Sequence, residues 1–314
     1  MMHLRLTVPP ALEAEVRQCL ADAVGVAHVA VLPGASRQPG GSLILCDVVR
    51  EGADQLLVAL QGCGLAEQGA IVMTDAGLVL SHSADLAERE TPGEGADAVV
   101  WEAVSDITHE ESRLTVTYLS FMVVATMIAA CGVMIDNAIL IVGAMAVGPD
   151  FGPLAGVCVA AVRREPRALA RSLLALLAGF LVAIVVTWLF SLVMDGLGLF
   201  TLDLFEDPHP ATRFIWQPDA FSIVVAMLAG VAGMLSLTSA KSAALVGVAI
   251  SVTTIPAAAN AAVAIAYGEI DQAWGSFVQL DINLAGILVA GTLTLLAQRL
   301  LWARTRRRAA ATPG

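Results

Sequence analysis

The residues best suited to bind a solute lie where two long apolar stretches of the sequence are interrupted. The first interruption, within residues 138–162, combines two glycines, two prolines and one acid: Gly148, Pro149, Asp150, Gly152 and Pro153. Proline removes a backbone donor and clashes with the preceding turn, so a helix must kink or unwind here. An ionisable side chain such as Asp150 is costly in an apolar environment and usually faces a polar path or partner.

The second interruption, within residues 243–267, is rich in hydroxyl and amide side chains: Ser251, Thr253, Thr254, Pro256 and Asn260. Such groups, with the backbone groups that a broken helix sets free, bind ions and small solutes inside membranes. We therefore expect both interruptions to line one solute or ion pathway. Asn283, in a later apolar stretch, either cross-links helices or faces the solute. The simpler interpretation is that glycine and proline serve only kinks and close packing, for which both are common in membrane helices.

The composition indicates an integral membrane protein whose main partner is the lipid bilayer. Apolar residues make up 57% of the 314 residues and charged residues only 14%, whereas about a quarter of a soluble chain is charged. A helix needs about 20 apolar residues to cross the hydrocarbon core. Six stretches qualify, and they predict an α-helical bundle of about six transmembrane helices: residues 115–134, 138–162, 172–197, 221–237, 243–267 and 280–302.

The positions of lysine and arginine predict the orientation of this bundle. Basic residues follow the second, fourth and sixth stretches, beginning at Arg163, Lys241 and Arg304. Positively charged loops stay inside, so both termini are expected in the cytoplasm and the chain in the inner membrane. Residues 304–314 then form a basic cytoplasmic tail that faces anionic lipid. The net charge of −11 disfavours nucleic acid as a partner, because phosphate binding needs a basic surface.

The two interruptions also suggest an internal repeat. Sliding residues 138–165 by about 104 positions superposes Val142 on Val246 and Glu165 on Glu269, and the breaks then coincide. The order of span, broken span, polar connector and long span repeats as well. Three spans per copy is an odd number, so the second copy must insert upside down, which predicts a 3+3 inverted repeat.

Ahead of the spans, the sequence predicts a small soluble domain. Residues 1–82 give the order βαββαβ, with strands at 3–9, 26–32, 42–49 and 69–81, helices at 11–23 and 53–61, and a Gly/Pro-rich hairpin loop at 33–41. That order predicts an α+β ferredoxin-like cytoplasmic domain. Residues 83–113 are expected to be a linker that leads into an amphipathic interfacial helix, and residues 114–303 the transmembrane domain.

Other candidate sites are weaker. The 34–41 loop could cradle an anion, and His3 and His28 could meet on neighbouring strands, but neither feature is sufficient to predict a cofactor or metal site. The five cysteines lack metal-ligand spacing. Asp136 and Asn137 form either a polar gate or a cap for the second span. The sequence has no His-Glu-x-x-His or Gly-x-Ser-x-Gly motif, so we expect no enzyme and no cofactor.

The membrane half resembles the bacterial uncharacterised hydrophobic membrane proteins that contain domain of unknown function 389. The resemblance covers most of residues 101–302 and rests on five segments: Ala129 to Gly132, Asp136-Asn137, Gly143 to Pro153, Thr254-Ile255-Pro256 and Asn283. It implies a membrane fold but no settled activity. Members of the family usually have a serine-proline-leucine-like run where this chain has Gly148-Pro149-Asp150. The acid therefore raises the question of proton or cation coupling.

Our leading hypothesis is a membrane transporter or channel for an unidentified small solute or ion. Its pathway would run between the broken second and fifth spans, and its amino-terminal domain would regulate or assemble it. The small-residue face of Gly152, Gly156 and Ala160 would permit tight helix contacts, including those of a homo-oligomer. The alternative is a non-transporting, membrane-anchored sensor or scaffold whose soluble domain binds a ligand or partner.

Overall fold

A computed structural model describes residues 1–91, 99–206, 209–239 and 253–310, with the backbone alone for residues 302–310. The chain divides into two compact units, which we describe separately. The amino-terminal unit consists mainly of Met1–Val104. The helical unit consists of Ser105–Leu237 and the described residues that follow it up to Leu300.

The amino-terminal unit follows the predicted order of strands and helices, with two short helices added. Its elements are β1 Met2–Val8, α1 Glu13–Asp22, β2 Val26–Arg37, β3 Gly40–Val48, α2 Arg50–Gly62, α3 Leu65–Gln68, β4 Ala70–Asp75 and α4 His82–Glu90. The four strands form one sheet in the order β2-β3-β1-β4, and each neighbouring pair is antiparallel.

The core of this unit lies between the sheet and its helices. Along β1, Leu4 and Leu6 are buried whereas Arg5 is exposed, as expected when alternate side chains point to opposite faces of a sheet. Val16 of α1 and Leu56 of α2 belong to the same apolar cluster. The apolar faces of the strands and of the helices therefore pack together in one core.

Three local predictions for this unit were wrong. Residues 33–41 are not a long loop, because β2 continues to Arg37 and leaves only Gln38 and Pro39 as the turn. An edge strand tolerates this glycine and proline content, and β2 is an edge. The last strand ends at Asp75, whose carboxylate accepts a hydrogen bond from Gly77 N–H at 3.0 Å in a turn. Part of the predicted 83–97 linker is helix α4, which buries Ala84 and Ala87 at helical spacing.

From Trp101 onward the described chain is mostly helical. The helices are α5 Trp101–Glu111, α6 Val116–Met134, α7 Ala138–Val147, α8 Phe151–Arg163, α9 Pro166–Gly196, α10 Leu202–Glu206, α11 Ala220–Thr238, α12 Thr254–Tyr267 and α13 Ile270–Ala310. A short 3-10 turn, Arg213–Ile215, precedes α11.

Several of these helices are suited to a membrane. Among the described residues, four helices are long and apolar enough to cross it, namely α6, α9, α11 and the Ile270–Leu301 part of α13, and the bent pair α7 and α8 adds a fifth candidate. Leu174, Leu177 and Leu181 on α9 are 57–64% exposed. Such an outward apolar stripe is unfavourable in water and suits lipid. The chain is therefore a membrane protein.

The predicted fifth and sixth spans differ from the helices in the structure. For the fifth, residues 243–252 lie outside the described residues, and α12 has 14 residues, a length of about 21 Å that is shorter than the roughly 30 Å hydrocarbon core. The sixth was predicted to begin at Leu280, but α13 begins at Ile270. The segment between the predicted fifth and sixth spans, residues 268–279, is therefore largely helical.

Helix boundaries in the two halves of the helical unit recur at a constant spacing. Helices α6 and α11 each have 19 residues. After α8 and α12 the chain turns through a residue with left-handed backbone conformation, Arg164 or Gly268. The N–H of the glutamate that follows donates to the carbonyl of the fifth residue before it. The equivalent boundary residues are 104 positions apart in each case: Val116 and Ala220, Met134 and Thr238, Arg164 and Gly268, Pro166 and Ile270.

The core of the amino-terminal unit provides a stability test. Leu56→Ala leaves a cavity under the sheet and is expected to reduce the free energy of unfolding by about 2–5 kcal/mol. In full-length protein, hydrogen exchange of the β1 amides should then be at least about 30-fold faster. The control is Val58→Ala on the same helix, because Val58 is 57% exposed. Equal acceleration in both variants would contradict the assigned core.

Candidate functional site

The first interruption separates α7 from α8 with a bend of 52°. Helix α7 begins at a cap in which Asn137 Oδ1 accepts the Leu140 N–H at 3.0 Å, as predicted for this residue, and ends at Val147. Helix α8 begins at Phe151, so Pro153 is its third residue. Amides of a first turn have no intrahelical partner, and proline is tolerated there. The predicted break is therefore present.

The second interruption produces the same local structure at the start of α12. Thr254 is the first residue of α12 and Pro256 the third, which matches the place of Pro153 in α8. Pro256 therefore sits in a first turn and does not kink a continuous helix. Residues 254–264 are all buried, and most of them are alanine. Helix α12 is thus enclosed by the rest of the helical unit.

The two interruptions touch each other. Thr254 Oγ1 donates a hydrogen bond of 2.5 Å to Asp150 Oδ2, and both residues are buried. Beside this pair, Ile255 packs against Gly148, where an added Cβ would lie 2.8 Å from Ile255 Cγ1. The glycine therefore permits the close approach of the two broken segments.

Asp150 has no basic partner among the described residues. Its carboxylate lies next to the start of α12, and the residue itself precedes α8. Helix N-termini carry a partial positive charge, so two of them stabilise one carboxylate. Neither N-cap, Asp150 or Thr253, caps its own helix through its side chain. The first-turn amides of both helices are therefore not satisfied by those side chains.

From Thr253 the polar contacts continue to α13. Asn283 Nδ2 donates to Thr253 Oγ1 at 2.8 Å, and Gln279 Nε2 donates to the same oxygen at 3.3 Å. Asn283 therefore cross-links helices, the first of its two predicted roles. Farther along, Asn260 Nδ2 donates to Ser276 Oγ at 2.7 Å, and Ser276 Oγ donates to the Gln272 carbonyl at 2.8 Å.

Sequence reasoning missed Ser276 and Gln279. The signal was available, because one face of α13 carries uncharged polar residues at helical spacings of four, three and four. These residues are Gln272, Ser276, Gln279 and Asn283. Gln279 and Ser276 are buried, and Gln279 Oε1 has no hydrogen-bond partner among the described residues. A buried carbonyl oxygen without a donor is costly.

A cavity of about 390 Å³ lies beside the first interruption. Pro149, Phe151 and Gly152 form one wall, and Glu110 to Arg113 and α6 residues form the other. An added Cβ on Gly152 would lie 2.9 Å from a carboxylate oxygen of Glu111. Burial raises the pKa of Glu111. The cavity wall thus brings a second acid to the first turn of α8.

A second cavity, of about 380 Å³, lies near α10 and the start of α13. Its lining includes Glu206, His209, Arg213 and Gln272. The Gln272 carbonyl belongs to the hydrogen-bonded series that includes Asn260. A cavity thus lies beside each of the two sets of polar contacts, the Asp150 set and the Asn260 set.

Five of the eleven predicted pathway residues take part in these polar contacts. Asp150, Thr253, Thr254 and Asn283 lie in or next to one set of hydrogen bonds, and Asn260 joins α12 to α13. The others are structural or outside the description. Gly148 and Pro256 shape the helix ends, Pro149 and Gly152 line the cavity, Pro153 is buried in α8, and Ser251 lies outside the described residues.

The amino-terminal unit contains a separate polar cluster. His3 Nδ1 and His28 Nδ1 each form a hydrogen bond of 2.7 Å with the Asp47 carboxylate. Although burial alone would raise the pKa of Asp47, hydrogen bonds from the two histidines lower it. The suggestion that the histidines meet on neighbouring strands was wrong, because β3 lies between β1 and β2, and Asp47 of β3 joins the two side chains. Within the described residues no group of three His, Cys, Asp or Glu side chains is placed to hold a metal.

The contact between the interruptions can be tested by a pair of glycine substitutions. Gly148→Val places methyl groups against Ile255 and should destabilise the helical unit by about 1–3 kcal/mol through overpacking. Thermal unfolding in detergent, followed by tryptophan fluorescence, should show a melting temperature lower by several degrees. Gly143→Val is the control, since no described neighbouring atom lies within 4 Å of an added Cβ there. A similar loss in both variants would exclude this packing contact.

Comparison with known proteins supports the predicted resemblance. Residues 145–289 match the family described as Domain of unknown function (DUF389). The chain is 24% identical over 200 residues to "Uncharacterized protein MJ0678" of Methanocaldococcus jannaschii, and this match covers 64% of the chain and 60% of that relative. No solved structure matches the chain. The matched region runs from Met145 in α7 to Val289 in α13 and so includes both interruptions of the helical unit.

Proposed function

We propose that the helical unit transports a small polar solute or ion across the membrane, with the pathway between the two interruptions. The observation that carries the proposal is the buried contact of Asp150 with Thr254. Buried polar side chains in membrane helices are costly and usually serve a pathway or a partner. Here they gather where two helices begin, which is where transporters place their binding sites.

The two cavities support a pathway. Each has roughly the volume of a small-ligand pocket. The first is lined by Pro149 and Gly152 beside Asp150, and the second by Gln272, whose carbonyl belongs to the Asn260–Ser276 contacts. In the proposed orientation, the cavity at Glu111 faces the cytoplasm and the cavity at Arg213 faces outward. The polar contacts of Asp150, Thr254 and Asn283 would then form a central site that is open to neither side of the membrane.

The proposed topology is a 3+3 inverted repeat of six spans with both termini in the cytoplasm. The 104-residue spacing of helix boundaries supports the repeat. Residues 243–252, together with α12, would form the broken fifth span. Asp150 and Thr254 would then be equivalent at the 104-residue spacing of the other boundaries, although the N-caps of α8 and α12, Asp150 and Thr253, are 103 residues apart.

We propose that the amino-terminal unit is a ferredoxin-like domain that regulates or assembles the transporter. The antiparallel strand order β2-β3-β1-β4 and the βαββαβ connectivity support this fold assignment. Gly152 and Gly156, which were expected to permit oligomer contacts, pack against Glu111 and Ser172 of the same chain. A homo-oligomer would therefore use other surfaces.

Transport can be tested with purified protein in liposomes and a panel of labelled ions and small metabolites. For any solute that wild-type protein carries, Asp150→Asn should change the rate at least tenfold, because it removes the charge at the central contact. Asp203→Asn is the control, since Asp203 is exposed on α10, and its rate should stay within about twofold. Equal transport rates in wild type and Asp150→Asn would show that Asp150 is not part of the pathway. An absence of flux for the whole panel would favour the anchored sensor or scaffold.

The span count can be tested with reporter fusions. A fluorescent reporter that matures only in the cytoplasm should be active after residues 165 and 310 and inactive after residue 218. A five-span chain would leave the reporter inactive after residue 310. The same reporter fused to the amino terminus of the full-length chain is the control for a cytoplasmic amino-terminal unit, and inactivity there would reverse the proposed orientation.

A further inference from the structure

We propose that Cys19 and Cys63 of the amino-terminal unit are a site of oxidative modification, at which an oxidant of the peroxide class forms a reversible disulfide. The two sulfur atoms lie 3.1 Å apart, and both cysteines are free thiols. The inference does not rest on transport, because both residues belong to Met1–Val104. It gives the amino-terminal unit a chemical reaction of its own.

The distance between the two sulfur atoms suits the formation of a bond. At 3.1 Å the reduced thiols share a hydrogen bond. Groups that react with each other in a folded protein are held at about 3–3.5 Å before the reaction. The sulfur atoms of a disulfide are about 2.05 Å apart, so an approach of about 1 Å is needed. Small rotations of the two side chains provide an approach of this size.

The packing of α1 and α2 on one core holds the two thiols together. Val16 and Leu20 of α1 are buried, and Cys19 packs against the same apolar cluster at the edge of this helix face. Cys63 is the residue at which α2 ends, and both its N–H and its thiol donate to the Ala59 carbonyl. The thiol–thiol contact is therefore set by two helices whose positions are fixed independently of it.

Partial exposure distinguishes this pair from a cysteine that only fills space. Cys19 and Cys63 are half-buried, whereas Cys46 of β3 is 1% exposed. Burial raises the pKa of the Cys46 thiol to about 11, and a buried thiol of this kind is inert. A small peroxide reaches thiols that are open to solvent. Cys46 is therefore an unreactive reference within the same unit.

The reaction proceeds in two balanced steps. The peroxide first oxidises the Cys19 thiol to a sulfenic acid and is itself reduced, with hydrogen peroxide giving one water. The Cys63 sulfur then attacks the Cys19 sulfur, so that an S–S bond forms and the S–O bond breaks. The hydroxyl group leaves with the Cys63 proton as a second water. A low-molecular-weight thiol returns both residues to the reduced state by thiol–disulfide exchange.

The order of these steps follows from the contact itself. The hydrogen bond with Cys19 raises the pKa of the Cys63 thiol, and a protonated thiol reacts slowly with an oxidant because the thiolate is the nucleophile. Cys19 is therefore oxidised first. Its conversion to a sulfenic acid removes the neighbouring thiol that raises the pKa of Cys63, which frees Cys63 to complete the disulfide.

The disulfide would stabilise the unit under oxidising conditions. The two cysteines are 44 positions apart, and the segment between them contains β2, β3 and most of α2. A cross-link over such a segment restricts the unfolded chain and so favours the folded one. Cytosolic disulfides are usually transient and redox-sensing. In the proposed orientation the bond would therefore form only when an oxidant is present.

The bond can be tested by peptide mapping of purified full-length protein in detergent. Wild-type protein is treated with hydrogen peroxide, the remaining thiols are alkylated, and the chain is digested with trypsin. Cleavage after arginine places Cys19, Cys46 and Cys63 in separate peptides, residues 18–37, 38–50 and 51–89. The linked pair of peptides 18–37 and 51–89 should exceed any pair that contains Cys46 at least tenfold, and dithiothreitol should remove it.

Hydrogen exchange measures the effect of the bond on the fold. In peroxide-treated wild-type protein the α1 amides should exchange at least about tenfold more slowly than in reduced protein. Cys19→Ser and Cys63→Ser should each abolish both the linked peptides and this slowing. Cys131→Ser is the control, because Cys131 lies on α6 outside the amino-terminal unit. This variant should keep both effects.

Three results would overturn the inference. Sulfinic acid on Cys19 or Cys63 without the linked peptides would show that the two sulfur atoms do not react with each other. A link between two chains in place of one within a chain would show the same. Slowing of exchange in the serine variants equal to that in wild type would assign the effect to another group. The mapping uses wild-type protein, so its outcome does not depend on the folding of any variant.

Discussion

A helix that stops inside an apolar medium exposes polar groups that no water can satisfy, and the organisation of the helical unit depends on how these groups are met. Each unmet group costs several kcal/mol in hydrocarbon. The chain brings its two interruptions into contact inside the helical unit, and there the Thr254 hydroxyl and the Asp150 carboxylate become partners. Gly148 makes the contact sterically possible, and the small side chains of α12 let the surrounding helices enclose it.

The two halves of the unit treat equivalent positions differently. On α13, Gln279 and Asn283 turn toward the junction, whereas the residues 104 positions earlier on α9 are Ala175 and Gly179. Tyr118 occupies the space there, donating to the Ala175 carbonyl and packing on Gly179. In the first half the Tyr118 side chain fills this space, whereas in the second half the amide side chains of Gln279 and Asn283 form hydrogen bonds there. The polar site is therefore one-sided despite the regular spacing of the helices.

The break in the second span was predictable from sequence because proline and glycine act locally, whatever the rest of the fold does. The alternation in β1 was predictable for the same reason. What could not be predicted depended on partners distant in sequence. The edge position of β2 decides that a Gly/Pro-rich segment remains a strand, and the start of α13 ten residues early depends on packing of its first turns. Ser276 and Gln279 were missed because a polar face within a hydrophobic helix gives little change in average hydropathy.

The Asp150–Thr254 pair has an evolutionary consequence. Under the proposed repeat, a half-length ancestor would have assembled as an antiparallel dimer, with this position opposite its own copy across the twofold axis. Two aspartates at hydrogen-bond distance repel each other, so a symmetric dimer could not keep both ionised. Two hydroxyls could instead have exchanged a hydrogen bond. An acid facing a hydroxyl requires the two copies to differ, so gene duplication would have come before the acid could be acquired.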